Sequence, residues 1–331
     1  MALKSWELWR RLEKDTGQKL LIKTGNLTIG PPGSPAFSGF VASAQSYEIP
    51  HECLTAAEVR KRWPCLAPPD RFVAGLETEA GIIFPELSIA TFLAEAEKAG
   101  ADLVFDERVE SWAENHDSVQ VHTGRTGYQA GRLLISAGAW TNRLLLLPDS
   151  LLAPKRVPVH WLEAPPDKRL RLGFFPVNFW QVPVETSSAP SGNFSEFYAL
   201  PVIGSDSRIK IAFHNELADW DPAKPAREVS PGEVEKIRSV ISQFLPCLHR
   251  CPISSEVCLY TMTPDGHFYL GKRPGAKNVF GVGLAGHGFK FAPVLGEILS
   301  DLLLERIPAV DIKLFSPNRF DPEKQTGAQQ A

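Results

Sequence analysis

Gly281-Val282-Gly283-Leu284-Ala285-Gly286-His287-Gly288-Phe289-Lys290 is the stretch on which the fold turns. From Val279 to Leu284 every residue is small or apolar, the pattern of a strand buried on both faces. Gly286-His287-Gly288 interrupts the run, and Phe289 to Leu304 then reads as a helix. A glycine-rich turn between a buried strand and a helix leaves backbone N–H groups free at the helix start. The helix dipole favours an electron-rich group there, and glycine lets such a group approach the backbone closely. No Gly-Lys-Ser/Thr follows, so the stretch is not an ordinary phosphate loop. The competing reading is a plain tight strand-to-helix turn.

A second strand-to-turn segment lies upstream. Leu133-Leu134-Ile135-Ser136-Ala137-Gly138-Ala139-Trp140 is an apolar strand running into small residues and then a helix, which also suits a cofactor close to the backbone. Around these two segments the chain alternates. Leu3, Trp6, Leu8, Trp9 and Leu12 fall near one face of an opening helix that Gly17 ends. Gly25-Asn26 reads as a two-residue hairpin turn, and Thr55 to Glu58 as a capping box. Gly81 to Phe84 reads as a strand, Ser88 to Ala99 as a helix capped by Ser88, and Asp102 to Phe105 as a buried strand. Val109 to Trp112, Val119 to His122 and Tyr128 to Leu134 read as consecutive strands of a small antiparallel sheet. From about Pro154 to Glu256 prolines and aromatics are dense and strands predominate. One helix stands out there, started by Ser230-Pro231-Gly232-Glu233.

Composition narrows the function classes. The chain has 331 residues, 44% hydrophobic and 22% charged, with a formal net charge of -3. That is an ordinary globular composition, long enough for about two domains. No basic excess points to nucleic acid, and no apolar run approaches a membrane span. The five cysteines are Cys53, Cys65, Cys247, Cys251 and Cys258. An odd count spread thinly argues against a disulfide framework and for a reducing compartment. Cys247, His249 and Cys251 lack a second ligand pair nearby, so no metal is expected.

Ile209-Lys210-Ile211-Ala212-Phe213-His214 alternates as a strand does, which puts Lys210 and His214 on one face. A lysine and a histidine sharing a face between apolar residues read as a site. The alternative is an edge strand with two solvent-facing polar groups. No Gly-x-Ser-x-Gly elbow supports a hydrolase.

Gly286 to Pro293, together with Val257-Cys258-Leu259-Tyr260-Thr261-Met262-Thr263-Pro264-Asp265-Gly266-His267-Phe268 and Ser136 to Thr141, resembles the monomeric sarcosine oxidase, N-methyltryptophan oxidase and peroxisomal sarcosine/pipecolate oxidase family. The resemblance runs from residue 1 to about 320. It implies an α/β fold, with a discontinuous FAD-binding domain and an antiparallel-sheet substrate domain. It implies FAD, attached through a thioether at Cys258, where a thiolate is the right nucleophile. Gly286, His287, Gly288, Phe289, Gly138 and Trp140 would adjoin the cofactor. Lys290 would pair with the substrate carboxylate, which needs a cation once it leaves water. Lys210 would promote reaction of reduced flavin with oxygen by stabilising negative charge. His214 and Tyr198 would line the substrate site. The expected reaction oxidises a secondary amino acid and releases hydrogen peroxide, with sarcosine, larger N-methyl amino acids and cyclic amino acids all open as substrates.

The resemblance implies that residues 1–69 and 154–255 form mainly the substrate domain, 70–153 and 256–320 the FAD-binding domain, and 321–331 a tail. The partners are a small amino acid and oxygen, acting on a monomer in the cytoplasm or a peroxisome. The C-terminal Gly-Ala-Gln-Gln-Ala is not a peroxisomal address. No Gly-x-Gly-x-x-Gly fingerprint opens the sequence. The expectation is therefore of a chain that starts after its first βαβ unit: a fragment or incomplete gene product, or else a genuinely shortened protein. The rival readings are a non-catalytic relative that binds a carboxylate ligand or a partner, and a flavin dehydrogenase serving an electron carrier.

Overall fold

A computed structural model describes residues 1–184, 193–224 and 228–320; the tail expected at 321–331 lies outside these. The fold is mixed α/β. Among the described residues the largest sheet has nine strands. Eight run in the order Ala218–Asp219, Ala153–Glu163, Arg208–Phe213, Phe194–Leu200, Val177–Pro183, Asn26–Gly30, Val73–Glu77 and His51–Thr55. The ninth, Ile253–Met262, pairs with Ala153–Glu163. All pairings are antiparallel except that of Val177–Pro183 with Asn26–Gly30.

The period-2 alternation of these strands divides the sheet into two faces. One carries Leu27, Ile29, Ala74, Trp180, Phe197, Ile209 and Ile211, all buried in one core. Trp180 stacks on Phe197 at 5.5 Å. Helix Pro231–Phe244 covers this face through Ile237, Ile241 and Phe244, and the expected Ser230/Glu233 capping box starts it. Burial of each large apolar side chain there contributes roughly 1.5–3 kcal/mol. With one face committed to packing, the other is left for chemistry.

A smaller sheet joins the two glycine-bearing segments. Leu133–Ile135 runs parallel to Val279–Gly283, which pairs antiparallel with Tyr269–Lys272. Strands Val109–Glu114, Val119–Thr123 and Gly127–Ala130 form a third, antiparallel sheet. Helix Ala2–Thr16 ends at Gly17 in a left-handed conformation, and Thr55 with Glu58 forms the expected capping box.

Several local expectations are corrected. Gly25-Asn26 is not a hairpin: Leu21–Lys23 pairs with Gly81–Ile83, whereas Asn26–Gly30 enters the large sheet, so the turn passes the chain between sheets. The helix expected from Ser88 begins at Pro85, because proline suits the first helical turn; Ser88 is buried inside it. Asp102 to Phe105 is irregular rather than a buried strand. It pairs with no strand among the described residues, and Val104 and Phe105 stay 54% and 63% exposed. Tyr128 to Leu134 splits at Gly131 between two sheets. The helix expected from Phe289 opens with a 3-10 turn, Phe289–Phe291, before Ala292–Leu303. Cys65 and Cys247, far apart in sequence, meet in a disulfide with Cα atoms 5.4 Å apart, which parity and spacing could not reveal.

Candidate active site

Strand register assembles the site. Tyr198 lies opposite Ala212, Ala212 opposite Val159, and Phe179 opposite Tyr198. Cys258 lies opposite Val157. Partners across an antiparallel ladder point to the same side. Phe179, Tyr198, Lys210, His214, Cys258 and Tyr260 therefore project from one face, the one turned away from the core.

Contacts tie most of these side chains into one cluster. The His214 ring meets Phe179 edge-on at 5.9 Å and Tyr260 at 6.3 Å. Burial lowers the His214 pKa; nearby Glu196 opposes this shift and the Lys290 charge adds to it. Burial raises the Tyr198 phenol pKa, and Tyr260 and Cys258 add to the shift. The same cause raises Tyr260. At ordinary pH the cluster offers neutral imidazole and neutral phenols. Cys258 is exposed on the open side.

The Gly286 turn brings a cation, Lys290, to this cluster. Ala285 and Gly286 both take positive φ, +46° and +77°, folding the chain back beside Tyr260. His287 packs against Phe268 at 5.2 Å. Phe289 stands 6.1 Å from Trp9. The Lys290 carbonyl accepts hydrogen bonds from Ser5 Oγ (2.6 Å) and Trp9 Nε1 (2.9 Å), so the first helix clamps the turn. Lys290 reaches solvent at the mouth of a cleft, yet the protein around it lowers its ammonium pKa. That is the setting in which an incoming carboxylate is held best.

Lys210 projects from the same face but stands apart. It lies four residues from His214 along the strand, about 13 Å, with its ammonium 5.8 Å from the Trp161 ring. Gly138 opens the turn Gly138–Trp140 with φ +55°. Trp140 meets Trp220 edge-on at 5.9 Å. Trp140, Arg108, Trp112 and Arg143 line a cavity of about 900 Å³. Two guanidinium groups and two indoles suit an anionic group joined to a flat ring, as in a dinucleotide. The exposed Cys258 thiol and the Gly286 turn suit a flavin. Together the residues fit FAD. Sequence reading missed Phe179 and did not single out Tyr260. The second was accessible, since it stands two residues after Cys258 and must share its face. Phe179 carries no local signal.

No group of three or more metal-ligating side chains occurs among the described residues, and no helix there is long and apolar enough to cross a membrane. The FAD dependent oxidoreductase family matches residues 1–302. A monomeric sarcosine oxidase of Streptomyces avermitilis is 34% identical over 323 residues, covering 97% of this chain and 82% of its own. An N-methyl-L-tryptophan oxidase of Citrobacter koseri is 31% identical, covering 97% and 83%. Among solved structures, NikD, an amino acid oxidase of nikkomycin biosynthesis, superposes with a TM-score of 0.80 at 23% identity, covering 96% and 82%, which speaks to the fold. The chain belongs to the family of FAD-dependent oxidoreductases that includes the monomeric sarcosine oxidases and N-methyltryptophan oxidases.

Proposed function

We propose that this protein oxidises the C–N bond of a secondary amino acid, N-methylated or cyclic, with FAD held covalently at Cys258 and oxygen as acceptor. The observation that carries the reading is the convergence of Lys290, His214 and Tyr198 beside Cys258 and the Gly286 turn. Bound FAD supplies the acceptor for a hydride equivalent from the carbon next to nitrogen and returns the electrons to oxygen as hydrogen peroxide.

The chain's own residues have separate tasks. Lys290 binds the carboxylate and orients the molecule. His214 and Tyr198, both neutral, border the amine without repelling it. Phe179 and Tyr260 exclude water from the reacting carbon. Lys210 holds positive charge on the same sheet face, where it favours oxygen reduction. Residues 1–69 and 154–255 serve mainly the substrate and 70–153 and 256–320 mainly FAD. The working unit is a monomer.

The test is anaerobic mixing of the flavin-loaded protein with sarcosine, N-methyl-L-tryptophan and L-pipecolate, followed by admission of oxygen. Bleaching of the flavin band by at least one of them, then peroxide release on aeration, supports the reading. A flavin that none of them bleaches overturns it. Bleaching without peroxide on aeration overturns the oxidase assignment.

A further inference from the structure

The face that carries His214 continues across the sheet beyond Phe179, and its far end is built for a second charge. Phe179 lies beside Thr28, and Asn26 on that strand lies directly opposite Glu77. The Glu77 carboxyl is half-buried and makes no hydrogen bond or ion pair among the described residues. Its neighbour Glu79, by contrast, is ion-paired with Lys23. Asn26 uses one amide N–H on Thr28 Oγ1 at 3.3 Å, which leaves its Oδ1 as an acceptor beside the carboxylate.

Two cavities meet at this pair. Asn26 and Glu77 line a pocket of about 360 Å³ under helix Pro35–Ser46, with Phe179 and Phe40 in its walls. They also line a cleft of about 640 Å³ whose wall includes Lys290. The two cavities share Asn26, Ile49 and Glu77, and the larger has an ammonium in one wall and, in another, a carboxylate unpaired among the described residues beside an amide oxygen. Between them lie mainly apolar side chains. A half-buried carboxylate without a partner is unfavourable; burial and the Glu79 charge raise its pKa accordingly. A ligand cation would relieve that cost, and two acceptors side by side match a group with several N–H donors and no acceptor. The strands of Phe179 and Glu77 are two spacings apart, about 10 Å. An aliphatic stem crossing the Phe179 ring, rather than a methyl group, covers that distance.

We propose that Glu77, with Asn26, is the specificity determinant of the substrate side chain, and that the preferred substrate is a secondary amino acid whose side chain ends in a cation. This rests on the amino acid oxidase reading above and names its substrate class. Lys290 takes the α-carboxylate, and Glu77 takes the distal ammonium or guanidinium. The apolar wall between them packs the stem.

The experiment compares Nα-methyl-L-lysine with Nα-methyl-L-norleucine, which has the same stem without the ammonium. Two readouts are used: kcat/KM for flavin reduction in the holoenzyme, and calorimetric Kd for the purified protein under argon. Both are repeated in Glu77→Gln. The expected result is a preference of about 10-fold or more for the lysine derivative, about 1.4 kcal/mol or more. In Glu77→Gln the ratio falls towards one. Both probes share the reacting centre, so partial loss of folded protein cancels in the ratio. Equal use of the two probes by the wild type, or a ratio untouched by Glu77→Gln, overturns the proposal. If neither probe nor sarcosine reduces the flavin, the oxidase reading fails. The calorimetric ratio then decides the Glu77 assignment independently.

Discussion

Gly286 packs directly against the ring of Tyr260: a methyl group on its Cα would stand 2.1 Å from Tyr260 Cδ2. The contact locks the Gly286 turn to the strand that carries Cys258, and it needs both the missing side chain and the positive φ of +77°. Gly286→Ala should therefore cost twice. The left-handed backbone costs roughly 1–2 kcal/mol and overpacking about 1–3 kcal/mol. We expect the melting temperature to fall by about 5 °C or more and flavin content to fall with it. A variant with unchanged melting and flavin content would show that the turn is not locked this way.

Cys258 is exposed on the open side of its strand, two residues before Tyr260. If it carries the flavin, acid precipitation leaves the visible absorption with the wild-type protein. Cys258→Ser should release that absorption to the supernatant. Colour in the wild-type supernatant would mean that any bound flavin is held without a covalent link.

Lys290 is the cation whose charge acts on His214. Lys290→Met should lower kcat/KM for sarcosine by about 10- to 100-fold, the worth of one charge-assisted hydrogen bond of roughly 1.5–3 kcal/mol. Most of the loss should appear in KM. Sarcosinamide, which has no carboxylate, separates the causes: its kcat/KM should change little. Equal losses for the two would mark Lys290 as structural.

How far the site could be read from sequence depended on the range of the signal. The Gly286 turn, the Ser136 to Trp140 segment and the Lys210/His214 alternation are local, because glycine punctuation and a period of two are written in adjacent residues. That Tyr198, Phe179 and Cys258 share a face follows from register between strands far apart in the chain, which no window of sequence contains. The Cys65–Cys247 bond is invisible for the same reason. Asp102 to Phe105 went wrong differently. Its apolar residues have strand character, but a strand also needs a neighbouring ladder, and none lies beside it among the described residues. The pairing of Glu77 with Asn26 again depends on register: the Asn26 strand continues from a turn that looks like a hairpin and is not one.

Lys210 shares the His214 face but lies along the strand from it, with its ammonium over the Trp161 ring. A role in oxygen reduction predicts a split between half-reactions. Lys210→Met should slow reoxidation of the reduced flavin about 100-fold, the worth of one preorganised electrostatic contact. Anaerobic reduction by substrate should change far less. A loss confined to the reductive half would move Lys210 to the substrate.

His160 gives a prediction about stability that is independent of FAD. It is 1% exposed, its Nδ1 is 2.7 Å from Ser255 Oγ, and burial lowers its pKa to about 4. The unfolded chain takes up this proton near pH 6.5, whereas the folded protein excludes it until about pH 4. Between those values the unfolded state binds more protons, so stability falls as pH falls. The contribution is complete above about pH 6.5 and is lost on approach to pH 4. Allowing for solvent screening, it amounts to about 2 kcal/mol. His214 and His287, whose pKa values are also lowered by burial, add to the same trend. A comparison of wild type with His160→Asn isolates the one group. Melting temperatures measured from pH 7.5 to 4.5 should fall more steeply for the wild type, and the two curves should converge at the acid end. Parallel curves would mean that His160 is protonated in the folded protein, with the cost of burying its charge met by Ser255 and the nearby Glu233 carboxylate.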